Sequence, residues 1–170
     1  MHKQQGTSLL EGLVVVTISS ILVSAAIPAM GEFLLRAKSR ASEVQLMAML
    51  GAARSQALHL GWPATLCPLD SNGRCSTDWS ADLSLFIDHN DNSALDAQDQ
   101  FLRSWQADWG NASLSWVRGR KRVIFRPNGS STASTGSLRY CSLEHEKFDF
   151  RVVVARTGRY RLDRKTAGCD

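Results

Sequence analysis

The stretch that most constrains this chain is residues 12–31, 20 consecutive positions without a charged side chain. As a helix it would span ~30 Å, the thickness of a bilayer's hydrocarbon core. One acid, Glu11, stands at its amino-terminal edge, behind a six-residue leader that ends in Gly6 and carries one lysine, Lys3. A secretory signal peptide would have a shorter apolar region followed by an Ala-x-Ala-like cleavage site. Ser24-Ala25-Ala26 is a weak candidate for such a site, and the pattern does not stop there. It runs on into Leu46, Leu50, Ala53, Ala57 and Leu60, a helical stripe of the kind that docks onto a sheet. The spacing predicts one helix over residues 7–60, membrane-spanning over about 9–31 and amphipathic beyond. Gly61 and Pro63 should end it. Pro28 has no donor for the i→i−4 bond and should kink or locally melt it. A carboxylate at the edge of an apolar helix is costly in lipid unless paired, which marks Glu11 for function; the alternative is a place in the headgroup layer.

The charge is uneven. Residues 41–117 hold three Lys/Arg against nine Asp/Glu, a net of −6, and residues 118–170 hold thirteen against five, a net of +8. A basic half of this kind points to anionic partners, unless the halves neutralise each other within one domain. The ~110 residues after the helix suit one domain with a modest core. The four cysteines, Cys67, Cys75, Cys141 and Cys169, read as disulfides in an exported chain, and no spacing is that of a zinc site. Three pairings are possible. Cys67–Cys75, stapling a short loop, and Cys141–Cys169, tying down the tail, are preferred.

Beyond Pro63 the helical period fades, and short apolar runs alternate with turn residues. Strands are expected over residues 64–69, 83–88, 101–105, 113–117, 122–125, 137–143, 148–155 and 160–162, with a tight turn at Gly119. Residues 128–136 read as a flexible loop by composition. The domain over residues 61–170 should therefore be β-rich.

These residues carry a resemblance. The leader closing at Gly6, with Thr7 as first mature residue, Glu11 as the fifth and Pro28 within the helix, resembles the type IV prepilins and type II secretion pseudopilins. Thr7 and Gly12 depart from the pattern, since Phe or Met and a bulkier apolar residue are usual there. Leu66-Cys67 with Cys75 beyond, Trp79, the strand closing at Asp88, the run from Val123 to Gly129, and the strand at Cys141 resemble the GspH/FimT group, most nearly its FimT/FimU type. This likeness covers nearly the whole chain. It implies an α+β pilin fold, a long helix packed on an antiparallel β-sheet domain. It also implies cleavage after Gly6 by a prepilin peptidase, methylation of Thr7, and pairing of Glu11 with a neighbouring subunit's amine. The implied setting is a Gram-negative inner membrane, crossed once with the domain periplasmic, and then an extracellular pilus with major and minor pilin partners. Arg36, Lys38 and Arg40 follow the span while only His2 and Lys3 precede it, so the positive-inside count points the other way. The leader is taken to outweigh that count.

Two constellations remain. Residues 88–99 scan onto a calcium loop, with oxygen-bearing side chains at positions 1, 3, 5, 9 and 12. Ser93 stands where the sharp turn requires Gly, Asp99 is shorter than the usual Glu, and the flanks read as strand. A solvated acidic turn without metal is the expectation. The other is Gly158-Arg159-Tyr160-Arg161. In a strand Arg159 and Arg161 share a face while Tyr160 turns inward, and the guanidiniums stand ~7 Å apart, near the spacing of successive phosphates. Arg164 and Lys165 follow, and Arg118, Arg120, Lys121 and Arg122 could extend the patch. This GRxR tail resembles the DNA-binding motif of FimT-type pilins, implying double-stranded DNA bound through its backbone without sequence preference, for uptake in natural transformation. Solvated arginines, or arginines touching neighbouring subunits, are the competing reading. No cofactor motif appears, and the histidines His2, His59, His89 and His145 are scattered, so no enzyme is expected. A FimU-like structural adaptor and a type II secretion pseudopilin are the rival functions.

Overall fold

The computed structural model describes residues 9–118, 122–131, 135–165 and 169, the side chains of residues 25, 28 and 29 apart. Gly6, Thr7, the turn at Gly119, Arg120, Lys121 and the side chain of Pro28 lie outside the described residues. The chain divides into two compact units, Met1–Ala37 and Lys38–Asp170.

Helix α1 runs over Leu9–Leu60, with Glu11 in its first turn. In the first unit its large apolar side chains, among them Leu13, Ile21, Leu22 and Phe33, are exposed. Glu32 and Arg36, one turn apart, form a surface ion pair. The membrane span expected over residues 9–31 is not shown: among the described residues no helix is long and apolar enough to cross a membrane.

In the second unit the expected stripe forms. Leu46, Leu50, Ala53 and Ala57 are fully buried and Leu60 packs beside them. Burial extends about two turns further upstream, through Ser42 and Ser39, whose Oγ donates to the Phe148 carbonyl at 2.8 Å. Gly61 closes the helix at a φ of 73°, its N–H reaching the Ala57 carbonyl. That left-handed conformation is cheap for glycine, which is why the stop falls there.

Eight strands follow: β1 Ala64–Pro68, β2 Leu83–Ile87, β3 Gln100–Trp105, β4 Ala112–Val117, β5 Val123–Phe125, β6 Gly136–Ser142, β7 Phe150–Val154 and β8 Tyr160–Asp163. They form two four-stranded antiparallel sheets, ordered β3-β2-β1-β5 and β4-β6-β7-β8. One core joins the helix (Leu46, Met49, Leu50) to the first sheet (Leu66, Leu85, Phe125) and to the second (Leu138, Phe150, Val152). Each such side chain, taken out of water, contributes about 1.5–3 kcal/mol. Trp79 and Trp116 stack with ring centroids 5.6 Å apart.

Both preferred disulfides are present, Cys67–Cys75 and Cys141–Cys169. The loop expected to be flexible at residues 128–136 is instead tied down where it is described. Gly129 and Ser130 close a turn on Arg126, the Ser131 N–H reaches the Arg156 carbonyl, and Arg54 Nε donates to the Gly129 carbonyl at 3.1 Å.

Candidate nucleic-acid interface

The second sheet is built by alternation. Along β6 and β7, Leu138, Tyr140, Phe150, Val152 and Val154 turn into the core. The positions between them, Ser137, Arg139, Arg151 and Val153, face outward. Register then sets the outer face. Arg139 lies opposite Arg151, and Ser137 opposite Val153. Val153 in turn lies opposite Arg161, and Arg151 opposite Asp163. Arg118, Arg139, Arg151 and Arg161 thereby line one open groove of about 510 Å³, with Gly136, Ser137 and Val153 between them.

The GRxR segment sits at the edge of this face. Arg159 and Arg161 are exposed, and Tyr160 is half-buried against the core with its hydroxyl close to Gly51, the arrangement strand alternation predicts. Gly158 has a structural reason of its own. It holds a φ of 74°, and a Cβ there would meet the Gly129 carbonyl oxygen at 1.8 Å. The glycine thus lets the β7–β8 turn press against the 128–131 turn and fixes where Arg159 begins.

The remaining expected basic residues that the structure describes are dispersed. Arg164 reaches back to helix α1, its Nη2 lying 2.8 Å from Glu43 Oε2. Lys165 is exposed, and its backbone N–H is bound by Asp163. Arg122 stands half-buried just before β5, in the other sheet, and does not line this groove. The two oppositely charged halves meet through Arg164–Glu43 and Arg126–Asp91.

Sequence reasoning missed Arg139 and Arg151. Each is the polar member of a period-two pattern between apolar neighbours, so both were legible as outward-facing residues of a hairpin. What the pattern lacked was the register that sets them side by side. Arg151 is held by Asp163, Nη2 to Oδ2 at 3.0 Å. Arg139 has its Nε buried, with no hydrogen-bond partner among the described residues.

The loop at residues 88–99 is not simply a solvated turn. Asp88 is fully buried, its two carboxylate oxygens taken by the N–H groups of Asn92 and Ser93 at 3.1 and 2.9 Å. Burial pushes its pKa up despite those bonds. Asp96 accepts from the Asn90 and Asn92 amides, and the Asn90 bond foremost holds its pKa below the usual carboxylate range. Asp99 accepts from the backbone of His89 and Asp96. Asp88 and Asp99 are thus directed at the loop's own backbone, Asp96 at its asparagine amides, and Asp91 at Arg126. Asp91 and Ser93 hold positive φ values of 55° and 63° in the turn that closes around Asp88.

A long helix whose outer part docks on antiparallel sheet, with a disulfide-tied tail, defines the pilin fold. The sequence profile of the type II transport protein GspH matches residues 44–158, and the chain belongs to that family, the GspH/FimT-type minor pilins and pseudopilins. Membership makes it an envelope-associated subunit that assembles with other pilin subunits into a pilus or pseudopilus. The fold resembles that of the type IV minor pilin FimU of Pseudomonas aeruginosa strain PAO1. That match has a TM-score of 0.57 at 19% identity, covering 73% of this chain and 91% of that one. The minor pseudopilin EpsH of the Vibrio cholerae type 2 secretion system matches with a TM-score of 0.52 at 15% identity, over 74% of this chain and 96% of that one. None of the curated proteins matches in sequence.

Proposed function

We propose that this subunit is a FimT-like minor type IV pilin that binds extracellular double-stranded DNA for uptake in natural transformation. In this reading a prepilin peptidase cuts after Gly6 and Thr7 is methylated. Residues 9–31 cross the inner membrane of a Gram-negative cell once, with the domain in the periplasm. The helix then enters the pilus bundle, Glu11 pairing with a neighbour's amine and Pro28 adjusting the helix. The exposed apolar side chains of the first unit support burial among lipid or partner helices. No catalytic step is involved.

The observation that carries the DNA reading is the pair Arg159 and Arg161, both exposed beside the half-buried Tyr160, with Arg161 opening onto a groove lined by three further arginines. Guanidinium forks match phosphate oxygens, so the binding proposed is to the backbone and independent of sequence. The test is titration of the full-length protein, in neutral detergent, with a labelled duplex across a salt series. Affinity should fall steeply as salt rises, and an Arg159→Gln/Arg161→Gln variant should lose most of it. Absence of binding at low salt from the folded, oxidised protein would refute the DNA role. It would leave the structural adaptor or the secretion pseudopilin as the function.

A further inference from the structure

We infer that the groove across the outer face of the second sheet is a phosphodiester seat. Arg139, which belongs to no motif, makes its inner contact, and Arg118 and Arg161 form its rim. The inference deepens the DNA reading above and rests on it.

The register that places Arg139 directly opposite Arg151 sets two like charges in one cross-strand pair, an arrangement that is destabilising on its own. Asp163 compensates Arg151. Arg139 forms no ion pair among the described residues, and its Nε is buried without a hydrogen-bond partner there. An anion in the groove would sit against both guanidiniums and relieve the repulsion between them.

The shape of the groove points to the same kind of ligand. It is open rather than enclosed, so it suits a segment of polymer better than a small molecule, which pockets bury on most sides. The polymer's charge is specified by the four guanidiniums that line the groove, one of them, Arg151, paired with Asp163. Planar guanidinium forks bind phosphate through paired N–H···O bonds.

The rim is also fixed by the backbone. Arg118 holds a positive φ of 60°, sparsely populated for a residue with a Cβ. Its carbonyl lies over Gly136, where a Cβ would meet that oxygen at 2.1 Å and the Trp116 ring at 2.6 Å. Gly136 thus lets the end of β4 close down on the start of β6, bringing Arg118 to the groove that Arg139 and Arg161 share.

The test is the same titration on the full-length protein with Arg139→Gln, Arg118→Gln and the Arg159→Gln/Arg161→Gln double variant, using labelled duplexes of several sequences. Arg139→Gln and Arg118→Gln should each weaken binding about tenfold, equally for every sequence. Each should also make the log–log salt slope shallower by about 1. Thermal unfolding gives an independent readout. Arg139→Gln removes a like-charge pair, so its midpoint should hold or rise while affinity falls, which a merely structural residue would not do. Should that variant fail to fold, Arg118→Gln, on the exposed rim, decides alone. Wild-type affinity in both single variants, with binding lost in the double variant, would overturn the seat and leave the DNA reading standing. No binding by the wild type would overturn both. Unchanged DNA binding with lost pilus incorporation in Arg139→Gln would make the groove a subunit contact and likewise overturn the seat.

Discussion

The two sheets differ in what covers their second faces. In the first, β1, β2 and β5 are buried at every position, and only the edge strand β3 is largely exposed. In the second, β7 alternates buried and half-buried, and β6 keeps its outer positions partly open. The Cys67–Cys75 bridge ties the 69–76 loop back to β1, with Leu69 bridging Cys75 within the loop and Arg74 bridging Ala94. The other disulfide pins Cys169 to the end of β6, and among the described residues the arginines of the second sheet line an open groove. A sheet covered on both faces is scaffold; one with an open basic face is where an anionic partner can reach the fold.

The contrast can be broken first in the core. Phe125→Ala in the first sheet should cost about 3–5 kcal/mol, since it empties a fully buried aromatic site. Val153→Ala, on the outer face of the second sheet, should cost under about 1 kcal/mol. Chemical denaturation of both variants checks this, and equal costs would mean that the second face is covered after all.

The disulfides sharpen the same contrast. The Cys141–Cys169 loop spans 28 positions and the Cys67–Cys75 loop 8. Loop-closure entropy gives about 3.6 kcal/mol for removing the first and about 2.5 kcal/mol for the second. Thermal melts of the two Cys→Ser pairs should rank in that order. The reverse order would show that the short bridge acts mainly by holding the 69–76 loop in its native place.

Much of this was legible in sequence, and the omissions have physical causes. The helix stripe, the Gly61 stop and all eight strands follow from local periodicity and turn residues. The placement of Tyr160 inward between two exposed arginines followed from the two-residue period alone. The division into two sheets did not, because it depends on β5 leaving its sequence neighbour β4 to pair with β1. For the same reason Arg118 and Arg122, four positions apart in sequence, fall in or near different sheets. Arg164 was read as part of the basic patch, yet it reaches Glu43, 121 positions away, a partner no local pattern announces. Arg139 and Arg151 became a site only through the register of β6 with β7. The buried Asp88 was equally hidden, since polar composition marks a turn without telling which carboxylate the turn encloses.

The central claim is that this pilin subunit serves DNA capture through the open face of its second sheet. The most direct measurement is uptake of labelled DNA by cells lacking the chromosomal copy, complemented with wild type or with the Arg159→Gln/Arg161→Gln variant, pili being counted in parallel. The account predicts that the deletion keeps its pili and loses uptake, that wild type restores uptake, and that the variant does not. Loss of pili on deletion, with uptake fully restored by the variant, would contradict it and make the protein an assembly subunit.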